Sequence, residues 1–168
     1  MTPPAPVQKA VRLALAAAAA LAFLAPLATR LTLGHAFFLT GRGKLANFEN
    51  TVGFFASQGI PMPELNAHFV SRLEYYGGVL LVLGLLTRFV AAGLASTMAV
   101  ALLTERDAFL QSWLPSYELG PTDLSAFVFL LLLLWLVLFG PGVASLDHLV
   151  RRWLAVDEPS EVEAPKGA

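Results

Sequence analysis

The chain has 168 residues, of which 57% are hydrophobic and only 14% are charged, and its formal net charge is -1. Soluble domains are about a quarter charged, so this chain has too few charges to cover a water-exposed globule, and its mean hydropathy of +0.67 favours lipid as its solvent. The small net charge provides no basic field for nucleic acid, and the absence of cysteine excludes disulfides, thiol nucleophiles and thiolate metal sites.

The first apolar segment ends at Thr40 and is longer than the roughly 20 residues that cross a bilayer. We predict a spanning helix over about 17–40, preceded by a cytoplasmic extension over 1–15. An alternative is a signal peptide with its apolar core at 13–24. Because the hydrophobic pattern resumes after Arg30, we expect one retained helix instead.

Three further apolar segments predict spans over about 66–87, 89–104 and 122–140. Arg88 separates the second span from the third, so these two are expected to form a tight antiparallel hairpin, the closest helix contact of the molecule. Small residues allow membrane helices to approach closely. Those that favour the hairpin contact are Gly77, Gly78, Gly84 and Gly93. The sequence therefore predicts an all-α integral membrane four-helix bundle over about 16–150.

The connection between the first two spans carries a helical apolar stripe within Leu45–Ser57, which predicts a short amphipathic helix lying on the membrane surface. The connection Glu105–Asp123 is broken by prolines and glycine, and its Trp113 suits an interfacial position. The tail over 151–168 is rich in Pro, Glu, Ser and Ala, which predicts a disordered cytoplasmic segment.

Lysine and arginine in short flanks set the orientation of membrane helices. Four spans put both termini on one side, and that side carries Lys9, Arg12, Arg88, Arg151, Arg152 and Lys166. The other side carries Arg42, Lys44, Arg106 and, depending on its depth, Arg72. The bias predicts an inner-membrane protein with both termini in the cytoplasm.

Two charges fall inside predicted spans, Arg30 and Glu74. Either one alone in hydrocarbon costs about 2.5–3.5 kcal/mol on insertion scales. At the helical rise, Arg30 is expected ~16 Å and Glu74 ~10 Å below the outer end, a difference that a long arginine side chain covers. We therefore expect an Arg30–Glu74 pair in the outer half of the bundle. Two roles remain open for it: an ion pair that fixes helix register, or a binding or proton-relay site.

Other polar residues are expected near that pair and predict a polar pocket open to the outside. They are His35, Arg42, Lys44, Tyr75, Tyr76 and Asp123. Each also has a plainer explanation, such as an interfacial anchor for the tyrosines or a helix cap for Asp123. No His or carboxylate spacing matches a metal site, so no metal is expected, and no nucleotide-binding loop is present.

Three sequence elements, in this order, resemble the DoxX-like family of small membrane proteins. The first contains Arg30-Leu31, Gly34, Phe37, Gly41 and Lys44-Leu45. The second contains Glu74, Gly77-Gly78-Val79-Leu80-Leu81 and Gly84-Leu85-Leu86-Thr87-Arg88. The third contains Gly140-Pro141-Gly142 and Ser145-Leu146-Asp147. The longer Ala-rich N-terminus departs from the family pattern.

The resemblance implies a four-helix inner-membrane bundle with recurrent charged positions at Arg30, Lys44, Glu74 and Arg88. Relatives are linked to quinone-dependent oxidation of sulfur compounds, as the membrane subunit of a thiosulfate:quinone oxidoreductase, and others look like partners in oxidative-stress or metal-stress defence.

Three functions remain open from the sequence. One is a redox-linked membrane subunit that binds a quinone or similar lipid-soluble carrier near Arg30, His35 and Glu74 and serves an extracytoplasmic protein partner. Another is a non-enzymatic accessory or anchor protein in stress defence, which uses its outer connections to hold a partner. The third is a small transporter, for which four spans leave little room unless the chain forms a homo-oligomer.

Overall fold

The computed structural model describes residues 4–115 and 117–154, and within these ranges the chain is helical and has no strand. The α-helices are α1 (Ala5–Leu21), α2 (Leu24–Ala46), α3 (Phe48–Ser57), α4 (Pro63–Leu83), α5 (Thr87–Thr104), α6 (Arg106–Gln111), α7 (Ser125–Phe139) and α8 (Leu146–Trp153). A 3-10 helix, Pro121–Asp123, precedes α7. The predicted all-α class is confirmed for these residues.

The first helical stretch is interrupted by a turn at Ala22 and Phe23. Pro26 is the cause, because a proline ring clashes with the carbonyl four residues earlier, here that of Ala22. Residues 6–21 are exposed along their whole length, whereas α2 contributes buried residues to the core. The predicted span over 17–40 is therefore displaced: the packed helix begins at Leu24 and continues to Ala46.

The hydrophobic core lies between α2, α4, α5 and α7, which we call the core helices. Its buried members are Leu33, Phe37, Leu81, Val90, Ala91, Leu94, Ala95, Leu133 and Leu136. Partly buried side chains such as Leu73, Met98 and Phe129 pack around them. Each core helix therefore buries only one stripe and leaves its remaining apolar surface exposed.

The closest helix contact is between α2 and α4, which also share the most extensive contact of any two elements described. A Cβ on Gly34 would lie 2.7 Å from the carbonyl oxygen of Gly78, and one on Gly41 would lie 2.3 Å from the backbone nitrogen of Tyr75. Only glycine permits this backbone approach. The expectation that the α4–α5 hairpin forms the tightest contact is therefore wrong.

The turn between α4 and α5 uses two left-handed residues, Gly84 with φ of 69° and Leu86 with φ of 51°. Arg88 is not in this turn, because α5 begins at Thr87. A positive φ is strained for leucine. The strain is tolerated here because the Asp147 carboxylate accepts hydrogen bonds from the backbone N–H groups of Leu86 itself and of Thr87, as described below.

By length and composition, two helical stretches of the described chain qualify as candidate membrane spans: Pro6–Ala46, across the α1–α2 turn, and Thr87–Thr104. Ser125–Phe139 is apolar but shorter. At 1.5 Å per residue, α2 extends ~35 Å, α4 ~32 Å and α7 ~22 Å, against a hydrocarbon core of about 30 Å. The predicted spans over 66–87, 89–104 and 122–140 correspond to α4, α5 and α7.

The short helices lie at the two ends of the core helices. In α3, Thr51 and Phe55 are buried against the protein. The helix starts at Phe48 and not at the predicted Leu45, because Leu45 still belongs to α2. At the other end, α8 extends to Trp153. The predicted tail boundary at 151 is therefore three residues too early, and the remainder of the tail, 155–168, lies outside the described residues.

Candidate functional site

An ion pair between Lys44 of α2 and Glu74 of α4 is the main charged feature of the protein interior. The Lys44 Nζ atom lies 2.5 Å from Oε1 and 2.6 Å from Oε2 of Glu74, so it donates to both carboxylate oxygens. The Glu74 side chain is 1% exposed, whereas Lys44 is 30% exposed. The carboxylate is thus fully enclosed, and the ammonium group reaches it from the end of α2.

Glycines in α2 and α4 set the register that brings this pair together. Gly41 packs against the backbone at Glu74 and Tyr75, and three residues later α2 places Lys44 over the same turn of α4. Because the two helices run antiparallel, residues earlier in α2 face residues later in α4. Gly34 accordingly packs against Gly78 and Val82.

A cavity of about 460 Å³, which we call the Lys44–Glu74 cavity, opens beside the ion pair. Its apolar walls come from α2, α3, α4, α5 and α7 and include Phe37, Phe54, Phe55, Phe69, Met98 and Phe129. Polar groups on its wall include Thr40, Gln58, Asn66 and Thr97. Small-molecule sites are typically cavities of about 300–1,000 Å³ with mostly apolar walls and a few polar groups. The cavity has this character.

A second concavity of about 500 Å³ lies beside Leu103–Ala108. One short chain segment forms all of its lining, and it contains no buried charged group. It is a surface groove at the α5–α6 junction, and we do not assign a site to it.

The predicted Arg30–Glu74 pair is wrong. Arg30 is 14 residues before Lys44 in α2, which separates the two by ~21 Å along the helix. The Arg30 guanidinium instead packs on Gly84, and its Nη2 donates to the carbonyl oxygen of Ala144. The error arose because the span was placed too early, so the depth of Arg30 was assigned to the wrong half of the protein.

The last of the three sequence elements explains why Arg30 lies there. The Asp147 carboxylate accepts hydrogen bonds from the backbone N–H groups of Leu86 at 2.7 Å and Thr87 at 2.9 Å. The backbone N–H of Asp147 donates to the carbonyl oxygen of Gly84 at 2.9 Å. Asp147 therefore caps α5 and contributes a negative charge near the buried guanidinium of Arg30, which is 1% exposed. We call this arrangement the Asp147 junction.

Arg88 also belongs to this end of the protein. It is exposed, and its Nη2 lies 3.4 Å from the carbonyl oxygen of Leu138 at the end of α7. Gly140, with φ of 81°, leaves room for its guanidinium. Arg88 thus holds the end of α7, and Arg30 the chain that follows it, near the turn between α4 and α5.

The remaining polar residues do not join the Lys44–Glu74 pair. His35 and Arg42 are exposed on α2, and Tyr76 is 61% exposed. Tyr75 packs on Phe38 with ring centroids 5.0 Å apart. Asp123 is exposed, and its Oδ2 accepts the backbone N–H of Gly120 at 2.7 Å. The single predicted polar cluster is therefore divided between two ends of the protein and its outer surface.

Sequence reasoning missed two contributors to these sites. Asp147 was recognised only as part of a sequence pattern, and because it lies in α8 and caps α5, no local signal marks this role. The phenylalanines of the Lys44–Glu74 cavity come from four helices and share no local pattern. Their convergence follows from the packing alone.

The geometry supports binding and proton exchange more than bond-breaking chemistry. The cavity places one enclosed carboxylate and one partly exposed ammonium group against aromatic walls. Such a pair can donate a hydrogen bond to a ligand carbonyl and exchange a proton with it.

Comparison with known proteins supports the same family as the sequence elements. Residues 25–105 match the family model described as DoxX, and this match ends before α7 and the Asp147 segment. A Bacillus subtilis (strain 168) protein named "Putative oxidoreductase CatD" is 37% identical over 75 residues, which are 45% of this chain and 54% of that protein. The chain thus spans about half the length of that curated relative, and no solved structure matches. DoxX proteins are membrane-associated, and these comparisons support a DoxX-like family for this chain.

Proposed function

We propose that this protein is a redox-linked, multi-pass subunit of the bacterial inner membrane. In this proposal it binds a quinone or a similar lipid-soluble carrier in the Lys44–Glu74 cavity and serves a protein partner on the extracytoplasmic side. The observation that carries the proposal is an enclosed carboxylate, paired with Lys44, in a phenylalanine-lined cavity of about 460 Å³.

The chemistry of the cavity fits this ligand class. Quinones combine a flat apolar ring with carbonyl oxygens that accept hydrogen bonds. Aromatic walls suit the ring, because aromatic side chains prefer offset or edge contacts with other rings. The Lys44 ammonium group has three N–H donors. Two of them donate to the Glu74 carboxylate oxygens, so the third remains for a ligand.

The membrane arrangement is part of the proposal. We infer that α2, α4, α5 and α7 cross the bilayer as a four-helix bundle, with α3 as the amphipathic helix on the outer surface. The excess of Lys and Arg at the Asp147 junction and in α8 favours the cytoplasm for that end. The Lys44–Glu74 cavity then lies in the outer half, toward an extracytoplasmic partner.

The redox role draws on a relative as well as on the cavity. The Bacillus subtilis protein is named as an oxidoreductase, and its 37% identity over 75 matched residues supports a related role for this chain. We attribute no catalytic step to this chain alone, since its cysteine-free sequence offers no redox-active thiol.

A non-enzymatic accessory role is the second candidate. Exposed apolar residues in α3 and in the segment between α6 and α7, such as Phe54 and Trp113, favour it. They would hold a partner in oxidative-stress or metal-stress defence. Replacing both segments without loss of the partner in a pull-down would contradict this role. A transporter is the third candidate, and uptake into proteoliposomes that is insensitive to Glu74→Gln would contradict its simplest form.

The proposed function is tested by identifying what the purified protein carries. We expect mass spectrometry of the extracted protein to reveal a quinone in near-equal amount to the chain. Lys44→Met should lose it, whereas Arg42→Met, an exposed change two residues away on the same helix, should retain it. A wild-type preparation without any such molecule, and without a response to added quinone, would contradict the proposal.

A further inference from the structure

Three polar side chains follow one another on α4 toward the enclosed carboxylate: His68, Ser71 and Glu74. The Ser71 side chain is 0% exposed, and its hydroxyl has no hydrogen-bond partner in the protein. Nδ1 of His68 is also buried without a partner. Buried polar groups in proteins are almost always hydrogen-bonded, so this pattern requires an explanation.

We infer that His68, Ser71 and Glu74 mark a narrow, water-filled proton path from the outer end of α4 to the Lys44–Glu74 pair. This inference rests on the proposed function, because it identifies how the proposed carrier site exchanges protons with bulk water.

The spacing of the three residues fits ordered water. Each is three residues after the one before, and such neighbours on a helix have Cβ atoms ≈ 5–6 Å apart. One water molecule that accepts and donates a hydrogen bond spans about that distance. Two waters, one on each side of the Ser71 hydroxyl, would therefore connect the imidazole with the carboxylate. Buried waters of this kind typically make about three hydrogen bonds to otherwise unpaired polar groups.

The surroundings keep this path narrow. The His68 ring is stacked on Phe48 of α3 with ring centroids 4.2 Å apart. Ala67, one turn before Ser71, is 0% exposed, and Thr51 and Phe55 of α3 are buried against the protein. The helix α3 thus borders this part of α4, with Phe48 against His68 and with Thr51 and Phe55 buried.

Glu74 is the point at which the path and the cavity meet. Its carboxylate faces Lys44 and lines the cavity, and it follows Ser71 by one turn on α4. A proton that enters at His68 crosses the water beside Ser71 and binds to a Glu74 oxygen, which weakens that oxygen's bond to Lys44. The reverse movement returns the proton to bulk water. No electron moves along the path.

The absence of cysteine in the natural chain gives a clean test. Ser71→Cys exchanges a single oxygen for sulfur, and Ala91→Cys is the matched control, since Ala91 is also 0% exposed and belongs to the hydrophobic core. Only a thiolate reacts readily, and it forms in water rather than in dry packing. The full-length single-cysteine variants are treated with a small, charged methanethiosulfonate reagent, and labelling is followed by mass spectrometry.

We expect Ser71→Cys to be labelled about tenfold faster than Ala91→Cys. Adding His68→Leu to Ser71→Cys should slow labelling to the control rate, whereas adding His35→Leu, an exposed histidine on α2, should not. Labelling of Ser71→Cys at the rate of Ala91→Cys would overturn the path, whether both rates are slow or both are fast. The quinone measurement above is independent: a labelled Ser71→Cys without bound quinone would retain the path and remove the proposed carrier.

Discussion

Removing Lys44 should destabilise the protein because it leaves an enclosed carboxylate without its partner. Lys44→Met keeps the length of the side chain and removes its charge. Breaking a buried ion pair on one side costs about 3–5 kcal/mol. Since Lys44 is 30% exposed, part of that cost is relieved by solvent, and we expect a loss of about 2–3 kcal/mol.

The same reasoning predicts a strong interaction in a double-mutant cycle. Once Lys44 is absent, Glu74→Gln should cost little, so the double variant should be nearly as stable as Lys44→Met alone. The expected coupling is about 2 kcal/mol, within the range for residues in direct contact. Equilibrium unfolding in detergent, followed by circular dichroism, measures each free energy. Arg42→Met, on the exposed side of the same helix, is the control and should change stability by less than about 0.5 kcal/mol.

Two results would refute this account of the ion pair. In the first, Lys44→Met is no more destabilising than Arg42→Met, which would mean that Glu74 finds another partner or water. In the second, the two single costs simply add, which would mean that the contact contributes no interaction energy.

Three further changes test other parts of the structure. Gly84→Ala should lower stability by about 2 kcal/mol or more in thermal unfolding, since Gly84 is left-handed and a Cβ there would clash with Arg30 Nη1. The control Gly43→Ala has free space and should be neutral or slightly stabilising. Equal effects of the two changes would contradict the Asp147 junction. Asp147→Asn should lose about 1–3 kcal/mol, because one capping acceptor and the charge near Arg30 disappear, and an unchanged melting temperature would be the contrary result. Ser71→Ala should cost about 0.5–1.5 kcal/mol if water satisfies its hydroxyl, whereas a gain in stability would indicate a dry site.

The helical class could be predicted because its signal is local. Composition and long apolar runs such as 122–140 identify lipid-compatible helices without any knowledge of their packing. The displaced start of the first packed helix was harder to predict, because Ala-rich sequence continues on both sides of Pro26. Only packing against α4 distinguishes the exposed α1 from the partly buried α2.

The ion pair was beyond sequence reasoning for a physical reason. The helix α2 carries three cations, Arg30, Arg42 and Lys44, and which of them reaches Glu74 depends on the antiparallel register of α2 and α4. That register is set by glycine contacts such as Gly34 with Gly78, which are visible only once the helices are packed. An error of a few residues in the depth of the first span was enough to select the wrong partner.

The central proposal is that the Lys44–Glu74 cavity binds a lipid-soluble redox carrier, and a thermal unfolding titration with a short-tailed benzoquinone tests it most directly. A ligand at ten times its dissociation constant stabilises the native state by about 1.4 kcal/mol, which corresponds to roughly 3–6 °C for a chain of this size. We predict that shift for the wild type and Arg42→Met and its loss in Lys44→Met. The same shift in all three proteins, or none in the wild type, would contradict the account.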